Sequence, residues 1–317
     1  MSALRASVII PNWNGARFLP TCLDALRRQT FRDAEVIVVD NASHDESLSL
    51  LREQYPEVRV IALAENRGFA GGVNAGIRAA RGEIVVLLNN DTEAAPGWLE
   101  ALVRALDTHP DCGMAASKML LFDRRSHIHS AGDSFRTDGL PANRGVWQED
   151  LGQYDREEYV FGGCGGAVAY RRRMLEQIGL LDEGFFLSCE DVDLAWRAQL
   201  AGWRCIYVPD AVVYHHLSAT GGGPISSFYT GRNTIWVLAK DLPGPLWHRH
   251  WRAIVRAQLR IAMEAARAFR GAAARARLRG QLAGLIGLPR VLGQRRAVQA
   301  TRRVSIEYLE SILEQAE

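Results

Sequence analysis

The amino-acid sequence predicts an α/β fold, with a mostly parallel central sheet flanked by helices and an arginine-rich helical extension after it. Three observations carry this prediction. Apolar runs of strand length recur at residues 6–10, 35–40, 58–62 and 84–88, helical patterns fill the gaps between them, and basic charge is concentrated near the C-terminus. Strands that alternate with helices indicate βαβ units and a parallel sheet buried on both faces.

Apolar residues at helical spacing support a helix in each gap. They are Phe18, Leu19, Cys22, Leu23 and Leu26 in the first gap, Leu48, Leu50 and Leu51 in the second, and the segment 73–80 in the third. Residues 1–110 are therefore predicted to form a Rossmann-type nucleotide-binding half. Residues 11–15 follow the first strand without the G-x-G-x-x-G fingerprint, and a Walker A motif is absent, so a dinucleotide or P-loop site is disfavoured.

Cysteine usage and hydropathy indicate the compartment. The five cysteines form no C-x-x-C pair and their number is odd, which argues against a disulfide framework and against a zinc ribbon. We therefore expect a reducing, cytoplasmic environment. No uncharged apolar run approaches the ~18 residues of a membrane span, so we expect no segment that crosses a bilayer.

Positive charge is concentrated between residues 249 and 303, which contain fourteen arginines, no lysine and one acid, Glu264. This segment carries +13, whereas the remainder of the chain carries −11, for a formal net charge of +2. Such separation of charge favours an anionic partner for the C-terminal region. Nucleic acid is disfavoured as that partner, because no recognised nucleic-acid-binding motif accompanies the arginines.

A basic amphipathic helix is predicted at the start of this segment. Its basic face holds Arg252, Arg256 and Arg260, and a neighbouring stripe of the same period holds the apolar residues Trp247, Trp251, Val255, Leu259 and Met263. One interpretation is a helix lying in the plane of a membrane, held by anionic lipids with its tryptophans at the headgroups. The other is a helix that packs on the main domain and leaves its arginines in water.

Polar residues follow the predicted strands. Asn89-Asn90-Asp91-Thr92 comes directly after the fourth apolar run, where ligands of an open parallel sheet bind, so Asp91 is a candidate ligand for a cation that accompanies a phosphate. Asn, Asp and Thr are also ordinary turn residues. Asp40 ends the second strand and can accept a hydrogen bond from a nucleobase or ribose, or cap the next helix, a position for which Ser43 is the better candidate.

A glycine-rich loop over residues 65–76 opens the third helix and offers backbone N–H groups to an anion, although it could equally be only a flexible loop. A second glycine-rich segment, 161–167, could line a sugar pocket or form a tight strand crossing. The polar run 121–159 is interpreted as a mobile insertion on the acceptor side.

Three carboxylates lie within Glu190-Asp191-Val192-Asp193, at a predicted helix start where the helix dipole offsets their charge. Because neighbouring carboxylates repel each other, one of them is expected to have a raised pKa. The alternatives are acids that merely favour a helix N-terminus and a general base for catalysis.

These motifs in this order resemble the family 2 inverting glycosyltransferases of GT-A fold, particularly the bacterial branch with rhamnosyltransferase-like and lipid-linked glycan enzymes. The resemblance covers most of residues 6–240. Its marks are Val8-Ile9-Ile10-Pro11-Asn12-Trp13-Asn14, Val39-Asp40-Asn41-Ala42-Ser43, Asn66-Arg67-Gly68-Phe69, Leu88-Asn89-Asn90-Asp91-Thr92, Glu190-Asp191-Val192-Asp193-Leu194 with Arg197, and His215-His216-Leu217-Ser218-Ala219-Thr220. Each motif is weak alone, but six in order are specific.

The resemblance implies roles for individual residues. The nucleotide would be bound by Pro11, Asn12, Asp40, Asn66, Gly68, Asn74 and Asn90, with Arg232 as a second clamp on the diphosphate or else a surface arginine. A divalent metal, Mg²⁺ or Mn²⁺, would be held by Asp91, His215 and Asn89, with His216 as the alternate histidine. Asn89 replaces an acid of the D-x-D pattern, which should weaken the metal site. Asp191 would be the general base, and Glu190 is the second candidate.

The sequence therefore predicts a nucleotide-sugar-binding half at 1–110, an acceptor-side half with base and metal histidine at 111–240, and a helical, membrane-associating region at 241–317. We expect an inverting transferase that moves rhamnose or a hexose from a dTDP- or UDP-sugar to a glycan or polyprenyl-diphosphate-linked acceptor in cell-surface polysaccharide synthesis. It is expected at the inner face of the plasma membrane. A GT-A-like sugar nucleotidyltransferase and a catalytically degenerate membrane scaffold are the alternatives.

Overall fold

A ten-stranded sheet organises the part of the chain that this computed structural model describes, residues 4–216 and 223–316. The strands are β1 (Ala6–Asn12), β2 (Ala34–Asp40), β3 (Arg59–Ala62), β4 (Ile84–Leu88), β5 (Thr92–Ala94), β6 (Cys112–Leu121), β7 (Ile128–Ala131), β8 (Asp133–Phe135), β9 (Pro141–Asn143), β10 (Glu158–Val160), β11 (Ala167–Arg171) and β12 (Arg204–His215). The helices are α1 (Leu19–Arg27), α2 (Ser47–Gln54), α3 (Gly68–Ala79), α4 (Trp98–Thr108), α5 (Arg172–Ile178), α6 (Glu190–Leu200), α7 (Gly223–Lys240), α8 (Gly244–Arg267), α9 (Ala272–Ile286), α10 (Leu288–Ala300) and α11 (Ile306–Ser311).

The strand order of the sheet is β10-β12-β6-β11-β4-β1-β2-β3, with β5 added to β12 and β7 added to β6. Six strands, β3, β2, β1, β4, β6 and β12, run in one direction, and β11 runs antiparallel between β4 and β6. The predicted α/β fold with a mostly parallel sheet is confirmed. The sheet continues from β1–β4 through β6, β11 and β12, so both predicted halves contribute to it; the boundaries of those halves remain a prediction.

The four predicted strands are β1 to β4, and the predicted helices are α1, α2 and α3. All five residues of β4 are buried, because helices cover both faces of the sheet at this strand. One prediction was wrong: α2 begins at Ser47, so Ser43 does not cap it. The Ser43 hydroxyl instead accepts a hydrogen bond from the backbone N–H of Asn14, because the loop after β2 packs on the turn after β1.

Two apolar cores lie on opposite faces of the sheet. One packs α1, α2 and α4 on it through residues such as Leu23, Leu51 and Trp98. The other packs α3, α6 and α7 through residues such as Val73 and Trp196. The region predicted as a mobile insertion, 121–159, contains β7, β8, β9 and the start of β10, and β7 is fully buried.

The register of the paired strands brings polar side chains together at the strand ends. Asn12 at the end of β1 pairs with Asp40 at the end of β2, so polar side chains of two strands meet at one edge. The strand that follows β4 along the chain, β5, pairs antiparallel with β12, so His215 lies opposite Thr92. His215 is therefore beside Asp91, the residue before Thr92. The last residues of the histidine motif, 217–220, lie outside the described residues.

The C-terminal helices pack on the domain through glycines. A Cβ atom added at Gly280 of α9 would lie 2.0 Å from the carbonyl oxygen of Phe228 in α7, and one at Gly231 would lie 2.7 Å from that of Arg277. These two helices therefore approach each other backbone to backbone. Because only glycine permits such an approach, the C-terminal region is an integral part of the structure.

Candidate active site

A cavity of about 740 Å³ opens at the carboxyl ends of β1, β2 and β4. The predicted site residues that line it are Pro11, Asn12, Asn66, Gly68, Asn89, Asn90, Asp91 and His215. The predicted residues outside its lining are Asp40, Asn74, Glu190, Asp191, His216 and Arg232. The sequence motifs therefore converge on one cavity, although several of the predicted residues do not line it.

A buried amide network shapes the strand-end wall. Asn12 donates to Asp40 over 3.1 Å and accepts from Asn90 over 2.7 Å. The second carboxylate oxygen of Asp40 accepts from the backbone N–H of Ser43 over 3.1 Å. Asp40 is 1% exposed, so it holds Asn12 in place from behind. Its predicted direct contact with a nucleotide remains a prediction.

The glycine-rich loop is held by a second amide network. Asn41 donates to the side-chain oxygen of Asn66 over 3.0 Å and to the carbonyl oxygen of Gly68 over 2.9 Å. Gly68 has a φ of +70°, and a Cβ there would lie 2.4 Å from the carbonyl oxygen of Phe186, so glycine is required. Asn74 points elsewhere: its amide donates to the carbonyl oxygen of Leu181 over 2.8 Å and has a structural role.

The candidate metal ligands lie together. His215 Nε2 is 3.2 Å from Asp91 Oδ1, about the separation of two ligand atoms on one octahedral ion, and Asn89 lines the same cavity. Carboxylate, amide and imidazole groups suit a divalent ion such as Mg²⁺ or Mn²⁺. The ring of His216 instead stacks on that of Phe122, with centroids 3.6 Å apart. The geometry therefore favours His215 over His216 as a ligand.

The sequence did not indicate His129, which holds His215 from behind. The Nδ1 atoms of the two rings lie 3.1 Å apart. Burial, and then the neighbouring His215 ring, lower the pKa of His129 to about 3, so its ring is neutral at physiological pH. A neutral His129 can accept a hydrogen bond from His215 Nδ1, and this tautomer leaves the lone pair of His215 Nε2 for a ligand bond.

Asp191 lies in the first turn of α6. Its two carboxylate oxygens accept hydrogen bonds from the backbone N–H groups of Gly165, over 2.9 Å, and Val192, over 2.8 Å. Burial nevertheless raises the pKa of Asp191 above its ordinary value. A carboxyl group that is held in place by backbone donors and is more basic than usual has the properties of a candidate general base.

The other two acids of the cluster have different surroundings. Burial, and then repulsion by Asp191, raise the pKa of Glu190 well above its ordinary value, as the clustering of carboxylates predicted for one of the three. Asp193 is fully buried and forms ion pairs with Arg197 and Lys240. Asp193 therefore joins α6 to α7, and Asp191 is the acid of this turn with both oxygens held by backbone donors.

Two glycines of the 161–167 segment connect the base to the metal ligands. A Cβ atom added at Gly165 would lie 3.2 Å from Asp191 Oδ2 and 3.5 Å from the ring of Phe69, which lines the cavity. One added at Gly166 would lie 3.3 Å from the side-chain nitrogen of Asn89. The backbone at Gly165 and Gly166 therefore approaches Asp191 and Asn89 closely, and Gly162 and Gly163 also pack tightly on neighbouring residues.

The arginine at the cavity is not the one that the sequence indicated. Arg232 donates to the carbonyl oxygens of Gly184 and Phe185 and packs on the Trp236 ring, so it supports the loop before α6. Arg279 of α9 lines the cavity and is exposed. The arginine-rich composition of the segment predicted an anionic partner for the C-terminal region, but it did not indicate which arginine would line the cavity.

A GT-A-type sheet with a cavity at its polar strand ends, an Asp–His pair in the cavity and a carboxyl group held behind it is the arrangement of a sugar transferase. The family model described as glycosyl transferase family 2 matches residues 7–179. The chain therefore belongs to glycosyl transferase family 2 and is a glycosyltransferase, which confirms the sequence-based assignment.

Named relatives include the N-acetylglucosaminyl-diphospho-decaprenol L-rhamnosyltransferase of Mycobacterium tuberculosis, which is 29% identical over 80% of this chain and 90% of its own length. The succinoglycan biosynthesis protein ExoO of Rhizobium meliloti is 29% identical over 66% of this chain and 60% of its own length. The rhamnosyltransferase relationship that the motifs predicted is confirmed.

Solved structures show the same fold. GalNAc-T7 with UDP, GalNAc and Mn²⁺ superposes with a TM-score of 0.59 at 18% identity, covering 74% of this chain and 48% of that one. The mannosyltransferase PcManGT of Pyrobaculum calidifontis, in complex with GDP-Man and Mn²⁺, superposes with a TM-score of 0.53 at 20% identity over 98% of this chain and 79% of its own.

Proposed function

We propose that this chain is an inverting, metal-dependent glycosyltransferase that moves a sugar from a nucleoside diphosphate to a hydroxyl group of a lipid-linked glycan. One observation carries the proposal: the Asp91–His215 pair lines the cavity, and Asp191 lies behind the lining, held by the backbone N–H of Gly165, whose neighbour Gly166 adjoins Asn89. A base and a leaving-group site are needed on opposite sides of the reacting sugar, and this arrangement supports both.

The reaction is a single displacement at the anomeric carbon. Asp191 takes the proton of the acceptor hydroxyl as its oxygen forms a bond to that carbon. The bond from the anomeric carbon to the diphosphate oxygen breaks, and the nucleoside diphosphate leaves with the electron pair. Because the attack comes from the face opposite the leaving group, the anomeric configuration inverts.

Asp91 and His215, with Asn89, would hold the divalent ion. Bound there, a Mg²⁺ or Mn²⁺ ion would offset the charge that develops on the departing diphosphate. Arg279 is placed on the same cavity and would add a bidentate guanidinium contact to the phosphate oxygens. Trp13 also lines the cavity and is 44% exposed, so its ring offers a stacking face for the nucleobase of the donor.

We assign the donor to the dTDP-rhamnose or UDP-sugar class and the acceptor to the polyprenyl-diphosphate-linked glycans. The rhamnosyltransferase relative, named for a decaprenol-linked substrate, supports this choice. The apolar cavity residues Pro224, Ile225 and Phe228 of α7 also support it, because they provide an apolar wall beside the polar strand ends. Cell-surface polysaccharide synthesis is the corresponding role.

Product analysis tests the proposed reaction. Purified protein is incubated with dTDP-rhamnose or UDP-sugars, Mn²⁺ and a short polyprenyl-diphosphate N-acetylglucosamine acceptor, and the products are separated by mass spectrometry. We expect acceptor extended by one sugar, with free nucleoside diphosphate. In a parallel incubation with dTTP or UTP and a sugar 1-phosphate, release of pyrophosphate with formation of the nucleotide sugar would indicate a nucleotidyltransferase. No turnover in either incubation would favour the scaffold alternative.

The outer surface of the C-terminal helices exposes apolar residues that could bind a membrane. The apolar stripe predicted on α8 is exposed on the folded chain, at 38–56% for Trp247, Trp251, Val255, Leu259 and Met263, although Leu246, Ile254 and Ala257 bury another face of the same helix. Further exposed apolar residues on the neighbouring elements are Phe269, Leu282, Leu285, Ile286 and Leu292. Thus α8 packs on the domain, as one interpretation predicted, and still exposes the apolar stripe on which the membrane interpretation depends.

We propose that this surface binds the anionic inner face of the plasma membrane. Among the described residues, Arg252 and Arg256 form no ion pair with a carboxylate, so their charges are available to lipid headgroups. On α9, Leu282 follows Arg279 by one turn, so the exposed apolar face continues from the cavity lining. No helix of the described residues is long and apolar enough to cross a bilayer.

Vesicle co-sedimentation tests the membrane proposal. Wild-type protein should sediment with phosphatidylglycerol-containing vesicles and weakly with pure phosphatidylcholine. Leu259→Glu with Met263→Glu, or Arg252→Glu with Arg256→Glu, should lower the affinity by on the order of tenfold or more. Leu151→Glu, at a leucine 79% exposed elsewhere, and Arg52→Glu on α2 are the matched controls. Equal binding by all variants would contradict the proposed surface.

A further inference from the structure

Asp133, the first residue of β8, lies beside the proposed base. One oxygen of Asp133, one of Asp191 and the sulfur of Cys164 are all within 4.8 Å of one another. No sequence motif connects Asp133 with the site, because it comes 58 residues before Asp191, in a different element. Any catalytic role of Asp133 rests on the proposed function, in which Asp191 is the base.

The two carboxyl groups have unequal hydrogen-bond partners. Asp191 accepts from two backbone N–H groups at the N-terminus of α6, which stabilise its ionised form. Asp133 accepts one hydrogen bond, from the Ser130 hydroxyl over 3.1 Å. Within the described ranges, neither carboxyl forms an ion pair with a lysine, arginine or histidine. Two adjacent, half-buried anions without a paired cation are unfavourable, so one of them holds a proton.

The described titratable groups that interact most closely with Asp133 are Asp191 of α6, Cys164 of the glycine segment, Tyr170 of β11 and Cys205 of β12. Arg136, Arg144 and Arg204 line a second cavity together with Asp133, but none of these arginines forms an ion pair with it in the described chain. Burial, and then repulsion by Asp191, raise the pKa of Asp133 to about 8. The unequal donors decide which carboxyl group keeps the proton.

We propose that Asp133 is a positioning residue that holds the one proton of the Asp133–Asp191 pair at neutral pH, so that Asp191 carries the negative charge and receives the proton of the acceptor. Pairs of acids whose surroundings differ in this way divide into a neutral and an ionised member. When Asp133 loses its proton at alkaline pH, the second charge displaces Asp191 from its place beside Gly165, and the transfer rate falls.

The pH profile of kcat/KM tests this proposal. Wild type should lose activity above about pH 8, where Asp133 ionises. Asp133→Asn keeps a neutral group of the same shape, so it should retain activity within about threefold at neutral pH and lose only the alkaline limb. The acid limb, which reports protonation of Asp191, should not move. Asp111→Asn, at an exposed aspartate, should leave both limbs unchanged.

Ser130→Ala provides a second, independent variant. The Ser130 hydroxyl lowers the pKa of Asp133 by its hydrogen bond, so its removal should shift the alkaline limb to higher pH. A folded Asp133→Asn protein that loses more than ~100-fold activity at neutral pH would overturn the proposal, because the charge itself would then be required. Mn²⁺ binding that survives in Asp91→Ala and is lost in Asp133→Asn would also overturn it, since the cluster would hold a cation. Full activity of Asp191→Asn would instead show that the proposed base is wrong.

Discussion

The surroundings of Asp91, which lines the cavity, and of Asp191, which lies behind its lining, differ. Asp91 follows a parallel strand and faces the imidazole of His215, which His129 orients from behind. Asp191 begins a helix and faces Asp133, a second carboxyl group, with no cation of the described chain paired to either. The first environment suits a bound cation, whereas the second suits a proton that is gained and lost.

The difference shows how one fold separates charge stabilisation from proton transfer. Gly165 and Gly166 lie between the two environments and add no side chain, so a sugar could contact both sides. If this division is correct, changes on the Asp191 side should alter turnover and its pH dependence, and changes on the Asp91 side should alter metal and nucleotide affinity.

The largest expected effect comes from Asp191→Asn, which removes the base and preserves the shape. Its kcat should fall by about 10³-fold or more, within the range for loss of a general base. Metal-dependent binding of the nucleoside diphosphate should stay within about twofold of wild type, because Asp191 is outside the metal ligands. Steady-state kinetics and calorimetry on the same preparation check both numbers. Weakened nucleotide binding would contradict the division of roles.

His215→Ala should weaken Mn²⁺ binding in the presence of nucleotide by at least the roughly 10- to 100-fold that loss of an outer-shell partner costs, because it removes a metal ligand itself. His216→Ala is the matched control, since its ring stacks on Phe122 and does not line the cavity. Titration of Mn²⁺ into each variant measures the effect. Equal losses in the two variants would show that the cavity histidine was assigned wrongly.

Gly165→Ala sharpens the comparison on the Asp191 side. The new methyl group would lie 3.2 Å from Asp191 Oδ2 and press on the carboxylate. We expect kcat to fall by about tenfold, as for a displacement of a fraction of an ångström, with nucleotide affinity unchanged. Gly97→Ala, where an added Cβ meets nothing within 4 Å, should have no effect on kcat. If Gly165→Ala changed the nucleotide affinity, Gly165 would belong to the nucleotide-binding part of the site and not to the surroundings of Asp191.

The smallest effect concerns stability. Because the pKa of Glu190 is raised well above 4.5 by burial, the folded chain keeps a proton that the unfolded chain releases. Stability contributed by Glu190 is therefore complete at acid pH and is lost as pH rises from 4.5 toward the raised pKa. Glu190→Gln should show a smaller decline in unfolding midpoint than wild type between about pH 5 and about pH 8. Glu176→Gln, at an exposed glutamate, should follow wild type; parallel curves for all three would contradict this interpretation.

Local patterns predicted much of the fold. The strand runs, the helix face around Leu23 and the acids before Leu194 each depend on a few neighbouring residues, and β1 to β4 and α6 form where the patterns place them. Strand-end polarity also predicted Asn12 and Asp91 at one edge, because parallel strands bring their carboxyl ends together.

Contacts between distant segments could not be predicted in this way. Asp133, His129 and Arg279 reach the site from a hairpin, an added strand and a C-terminal helix, and no local pattern marks them. Arg232 and Asn74 have suitable chemistry, but their side chains turn to backbone carbonyl groups and support loops instead. Residue types therefore predicted which chemical groups the site needs. Which particular arginine or asparagine lines the cavity depends on the packing of distant segments.

The central claim is that the Asp91 side holds a metal-bound nucleotide while the Asp191 side performs the proton transfer. The most direct measurement is calorimetric titration of UDP, dTDP, GDP and ADP into wild type, Asp91→Ala and Asp191→Asn, with and without Mg²⁺ or Mn²⁺. We predict metal-dependent binding of UDP or dTDP to wild type and Asp191→Asn, lost in Asp91→Ala. Binding of no nucleotide to wild type, or equal binding to Asp91→Ala, would contradict the account.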